Sequence, residues 1–110
     1  MDKKKYTLKE VKNNIKSYIS YLRKECDLTI DRVYLYGSYA RGGERDWSDV
    51  DVCIISPKFK NLDALSYLFK NRRKQDIINS IEPIGYSMEE FYNESPLVSE
   101  IKKTGKEIKV

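Results

Sequence analysis

The sequence predicts an α/β fold of the α+β kind, a small mixed sheet of three to four strands with helices packed on it. Three observations lead there. Apolar residues recur at helical spacing near the start of the chain, and two short β-branched and aromatic runs flank residues 38–49. The elements read in the order αβ(α)βαβαα(β), which closes into a layer of helices on a sheet. A chain of 110 residues is the size of one domain, so residues 1–110 are expected to fold as a unit.

The first helix is marked by Leu8, Val11, Ile15, Tyr18, Ile19, Leu22 and Cys26, one apolar stripe over about residues 8–26 with lysines on the outer face. Thr7 followed by Glu10 forms a capping box at its start. Residues 30–36, ending at Gly37, read as a strand, and Val50–Ser56, stopped by Pro57, as a second. The second is apolar almost throughout, as expected of a strand covered on both faces. Residues 38–49 between them hold a short helical turn and a charged loop containing Gly42 and Gly43.

Asn61 is the expected cap of a second long helix carrying Leu62, Leu65, Leu68, Phe69, Ile77 and Ile78, interrupted by the basic stretch 70–74. Ile81–Ser87 reads as a third strand, and Pro83, which lacks a backbone donor, assigns it to a sheet edge. Ser87 with Glu90 is another capping box, opening a short helix from Met88 to Asn93. Pro96 opens a further one, with Leu97, Val98 and Ile101 apolar, which Gly105 terminates. Residues 108–110 offer a last short strand.

Composition excludes several chemistries. There is no histidine, which removes Ser-His-Asp and Cys-His nucleophilic sites and every His-ligated metal. Cys26 and Cys53 are lone thiols without Cys-x-x-Cys spacing, so neither a zinc knuckle nor a redox pair is expected. A metal would have to be held by oxygen, which favours magnesium, manganese or calcium. No apolar run reaches about 18 residues, and the basic N-terminus leads into a helical charge pattern instead of a signal segment, so no membrane association and a cytoplasmic location are expected. The net charge of +4 reads as evenly scattered, and nucleic acid is not the expected partner.

The chemistry concentrates at Gly37-Ser38 and Asp49-Val50-Asp51. A glycine at a strand end allows a sharp turn and a close backbone approach to a ligand. The helical turn that Ser38 begins presents amides suited to a phosphate, and Arg41, three residues on, can add its guanidinium fork. Asp49 and Asp51 alternate on a strand and so project together. Two carboxylates about 5 Å apart repel by roughly 3 kcal/mol at an effective dielectric near 20, a strain that solvent or a divalent cation must relieve. Alone, Gly-Ser is a common turn and Asp-x-Asp a common solvated strand start. Together on strand, turn and strand they point to phosphate and metal chemistry.

The stretches Leu-Tyr-Gly-Ser-Tyr-Ala-Arg-Gly (35–42) and Ser-Asp-Val-Asp-Val (48–52) resemble the signature of the nucleotidyltransferase superfamily of DNA polymerase beta and kanamycin nucleotidyltransferase. Ile81-Glu-Pro-Ile, residues 87–91 and residues 95–101 are similar to the minimal nucleotidyltransferases (MNT), commonly paired with HEPN-domain proteins in toxin–antitoxin systems. The resemblance, over roughly residues 30–108, implies a palm-like core in which Gly37 and Ser38 hold the nucleotide phosphates. Arg41 would assist them, and Asp49, Asp51 and Glu82 would form the catalytic, metal-binding set for two Mg2+ ions. It implies transfer of AMP from ATP to a hydroxyl, a tyrosine of a HEPN toxin, by a protein adenylyltransferase acting as antitoxin. Two alternatives stand beside it: an antitoxin that neutralises by binding alone, and a dimeric enzyme acting on a small aminoglycoside-like acceptor. A homodimer or a hetero-oligomer with the toxin is expected. Tyr39 is a candidate neighbour of the base or ribose, Arg72, Arg73 and Lys74 for an anionic substrate or a solvated face, Arg45 and Asp46 for a closing loop, and Trp47 for its anchor.

Overall fold

The computed structural model describes residues 6–42 and 49–110. Helix α1 (Leu8–Lys24) starts as its capping box requires. Thr7 Oγ1 accepts a hydrogen bond from the Glu10 amide at 3.1 Å, and Glu10 Oε1 accepts one from the Thr7 amide at 2.9 Å. The apolar stripe is buried at Val11, Ile15, Tyr18, Ile19 and Leu22, and the helix stops two residues short of Cys26. Tyr18, too long to bury its hydroxyl unpaired, donates to the Leu68 carbonyl at 3.0 Å.

Four strands, β1 (Arg32–Tyr36), β2 (Val50–Ile55), β3 (Ile81–Tyr86) and β4 (Lys106–Glu107), form one sheet in the order β3-β2-β1-β4. β1 runs antiparallel to both β2 and β4, whereas β3 lies parallel to β2. The apolar run of β2 is thus central, and Pro83 sits on an edge strand, as its missing donor demands.

Alternation along the strands creates two faces. Val33, Leu35, Val50, Val52, Ile54 and Ile81 point to the first, where they join the buried stripe of α1, Phe59 and Leu68 in the larger core. Tyr36, Cys53 and Ile55 point to the second, where Phe91, Val98 and Ile101 cover them. Phe91 comes from α5 (Met88–Tyr92), and Val98 and Ile101 from α6 (Pro96–Thr104). Tyr34 stacks on Phe91 with ring centroids 5.4 Å apart. Each large aliphatic side chain buried in this way contributes about 1.5–3 kcal/mol.

The middle of the chain departs from the sequence reading. In place of one long helix there are a 3-10 turn (Pro57–Lys60), α3 (Ala64–Lys70) and α4 (Lys74–Ile78), leaving α2 as the short Ser38–Arg41 turn after β1. The cap of α3 is Asp63, not Asn61; its carboxylate accepts from the Ser66 amide and hydroxyl. Asn71 ends α3 by donating its side-chain amide to the Tyr67 carbonyl. A new helix starts at Arg73, which is clamped to buried Asp76. The break leaves Leu62, Leu65, Ile77 and Ile78 exposed. The last strand is Lys106–Glu107, not 108–110; the Ile108 amide still donates to Val33, but its side chain turns into the core. Strand β1 begins at Arg32, two residues later than the sequence suggests.

Charge also differs from its expected scatter. The helix α1 carries Lys9, Lys12, Lys16, Arg23 and Lys24 against Glu10 alone, a local +4 that equals the net charge of the entire chain. Among the described residues no helix is long and apolar enough to cross a membrane.

Candidate functional site

Strand β1 ends at Tyr36, and the chain must turn at once to enter α2. Gly37 makes that turn with φ 77° and ψ −152°, a conformation essentially confined to glycine. It also leaves room for a neighbour: a β-carbon at Gly37 would collide with Asp51 Oδ2. Backbone and carboxylate therefore meet without an intervening side chain. The Gly37 carbonyl accepts from the Ala40 and Arg41 amides, closing the helical turn that begins at Ser38.

Sheet register brings in the rest. Asp51 is paired with Tyr36 on one side and with Glu82 on the other, so all three project from the second face. Asp49 lies just before β2, two residues from Asp51 and therefore on the same side. The proline after Glu82 does not displace it, because parallel pairing runs through Pro83 on the edge strand. The acids sit where β1 ends and β2 and β3 begin, at the rim of the face that α5 and α6 cover.

The electrostatics record the crowding. The Asp51 carboxyl is pushed up to about 6, first by burial and then by the negative charges of Asp49 and Glu82. Arg41 acts in the opposite direction, and Glu100 adds to the rise. Burial, followed by the charge of Asp51, also raises the Tyr36 phenol. An anionic cluster that hinders its own ionisation is a natural host for a cation, and hard carboxylate oxygens suit magnesium. Among the described residues, however, no three acidic or thiol side chains converge tightly enough to make a metal cage by themselves. The carboxylates would supply only part of the ligands such a cation needs.

One participant was not visible in the sequence. Glu100, on α6, forms an ion pair with Arg41 at 3.6 Å, both side chains being about half exposed. It lies 49 residues from Asp51 in the chain, and nothing in its local pattern marks it; only the packing of α6 against β1 brings it here.

Other candidates fall elsewhere. Tyr39 is buried in the larger core with its hydroxyl 3.4 Å from the Tyr6 amide, so it cannot flank a nucleotide base. Arg72 donates to the Ile81 carbonyl at 3.2 Å and lies over the Phe69 ring, bracing the start of β3. Arg73 is held by Asp76, Ser17 and the Tyr21 ring. Both arginines are structural fasteners, neither solvated charges nor substrate contacts. Arg45, Asp46 and Trp47 lie outside the described residues.

The sequence profile of the nucleotidyltransferase domain family matches residues 8–109. No curated relative matches the sequence significantly. Among solved structures, the fold is similar to a presumptive nucleotidyltransferase from Sulfolobus solfataricus, with TM-score 0.62 and 18% identity over 94% of this chain and 87% of that one. It is also similar to a chain of a toxin–antitoxin complex crystallised with AMP-PNP, with TM-score 0.58 and 21% identity over 89% and 72%. A mutant of the toxin–antitoxin complex MntA–HpeT gives TM-score 0.57 and 18% identity over the same shares.

Proposed function

This chain belongs to the nucleotidyltransferase domain family, and on that premise we propose that it transfers AMP from ATP to a hydroxyl of a partner toxin, acting as the antitoxin of the pair. The acceptor is a tyrosine of a HEPN-type protein. The observation that carries the reading is the contact of bare Gly37 backbone with Asp51, flanked in register by Glu82. The solved relatives that are toxin–antitoxin complexes, one crystallised with AMP-PNP, support the choice of partner and nucleotide.

Each residue has a task in that reaction. The Gly37-Ser38 turn lets the triphosphate approach the backbone, and the first amides of the turn have no helical acceptor of their own. Ser38 adds its hydroxyl, and Arg41 its charge, to hold the phosphates in line with the incoming oxygen. Asp49 and Asp51, with Glu82 beside them, would hold Mg2+, which supplies neutralisation of the triphosphate and a lower pKa at the attacking hydroxyl. The proton of that hydroxyl passes to a carboxylate, Glu82 or Asp51, or to water, because the chain has no histidine to receive it. The hydroxyl oxygen bonds to the α-phosphorus as the bond to pyrophosphate breaks.

Incubation with α-labelled ATP, Mg2+ and the protein encoded beside it tests the proposal. Label should appear on the neighbour and be lost in the Asp49→Ala/Asp51→Ala variant. Protection of cells by that double variant, with no label in the wild type, would show neutralisation by binding instead.

A further inference from the structure

The acids of the candidate site face one side of the sheet, and helix α1 carries a row of cations on the other. Helix α1 buries its apolar stripe in the larger core and turns its opposite side to solvent. On that side Lys9, Lys16 and Arg23 are spaced seven apart, which aligns them along the helix over about 21 Å. Lys12 and Lys24 flank the line. Among the described residues none of the four lysines has an ion-pair partner; Lys58, Lys70, Lys74, Lys103 and Lys106 share that state but are scattered over five other elements, so only α1 sets such cations in a row.

The stripe is also walled. A groove of about 370 Å³ runs beside α1, lined by Lys16, Arg23 and Lys24 on the helix and by Lys109 and Val110 across from it. A smaller one places Lys12 and Lys16 opposite Lys109, which is itself 4.0 Å from Glu107. A third, of about 440 Å³, follows Lys9, Lys12, Asn13 and Lys16 toward the N-terminal end. The neutral groups between the cations, Asn13, Ser17 and Ser20, are hydrogen-bond donors.

We propose that this face binds the sugar–phosphate backbone of a nucleic-acid duplex, independently of base sequence. A regular row of lysines, ended by Arg23 whose guanidinium also donates to the Ile30 carbonyl, and interleaved with neutral donors, is what phosphates require. A protein partner would need apolar or aromatic anchors, and α1 exposes no large apolar side chain. A single strand would favour stacking rings, but Tyr18 is buried and Tyr21 is capped by the Arg73 guanidinium. The inference does not depend on the proposed reaction, since the sheet separates the two faces.

Fluorescence anisotropy with labelled 24-base-pair DNA and RNA duplexes, between 50 and 200 mM NaCl, reads it directly. Both share the phosphate chemistry; binding of either supports the proposal, and the tighter one identifies the source. Five cations predict a slope of log Kobs against log salt of about −3 to −5. The Lys9→Gln/Lys12→Gln/Lys16→Gln variant should lower that steepness by about 3 and weaken binding at least tenfold at 100 mM salt, with unchanged circular dichroism and unchanged nucleotide transfer. A variant of equal charge change elsewhere, Lys58→Gln/Lys60→Gln/Lys103→Gln, should leave the slope nearly intact. Absence of binding by the wild type at 50 mM NaCl, or equal effects of the two triple variants, overturns the proposal. So does displacement of the duplex by polyglutamate as readily as by unlabelled duplex, which would mark the stripe as a dock for an acidic protein.

Discussion

The two faces of this sheet are built to opposite rules. On the first, the local preferences of α1 agree with the fold: the helix is capped, its stripe is buried, and its one deep hydroxyl is bonded. On the second, at the ends of β1, β2 and β3, preferences collide. A glycine holds a backbone angle that other residues avoid, and three carboxylates crowd on one side of adjoining strands. Agreement is what stabilises a chain, and disagreement that survives marks a place kept for something other than stability. The contrast implies that variants on the two faces should move stability and activity in different directions.

The strongest way to break the contrast is Asp51→Asn. Removing that charge should lower nucleotide transfer on the order of 10³-fold, measured with labelled ATP. The same change should stabilise the ligand-free protein at pH 7. Its carboxyl is raised from the ordinary value near 3.8 to about 6 in the fold, so the folded state binds the proton more tightly than the unfolded chain. Stability from this group is therefore present below pH about 4 and is lost as pH climbs through about 6. Discounted for partial exposure, the gain in the variant is about 1 kcal/mol, or a melting point higher by roughly 4–8 °C. No gain in calorimetry would mean the acids are not in conflict.

Ile15→Ala, on the agreeable face, should do the reverse. It empties a fully buried position and should cost about 2–5 kcal/mol in urea unfolding, while the surviving folded fraction keeps its specific activity. Gly37→Ala crosses the boundary between these behaviours. The positive φ and the collision with Asp51 should together cost about 1–3 kcal/mol, and displacement of the carboxylate should reduce transfer as well. A Gly37→Ala protein of full activity would show that the turn is not at the site.

Smaller changes sharpen the comparison. Thr7→Ala removes one half of the capping box and should lower stability by about 1 kcal/mol without altering KM for ATP. Glu100→Gln should barely change stability, because a half-exposed pair contributes about 0–1 kcal/mol. It frees Arg41 for phosphate, so KM for ATP should fall a few-fold with kcat unchanged.

Some of this was legible in the chain. Capping boxes at Thr7 and Ser87, the apolar stripe of α1, the buried run of β2 and the edge position of β3 are local matters, written by spacing and by the donor that proline lacks. The pairing of Gly37 with Asp51 and of Asp49 with Asp51 was likewise foreshadowed by motif and alternation. What failed was also local in origin. Leu62, Leu65, Ile77 and Ile78 look like one helix stripe, yet bonds from Asp63, Asn71 and Asp76 punctuate the segment and strand that stripe in solvent.

The sequence by itself determined which residues could turn, cap, alternate or repel, because those properties reside in a few neighbouring bonds. Only the tertiary structure decided which of them meet. Parallel register placed Glu82 beside Asp51, the packing of α6 on β1 carried Glu100 to Arg41, and core burial withdrew Tyr39 from the site. Encounters between residues far apart in the chain follow from how whole faces pack, and no short stretch of sequence contains that information.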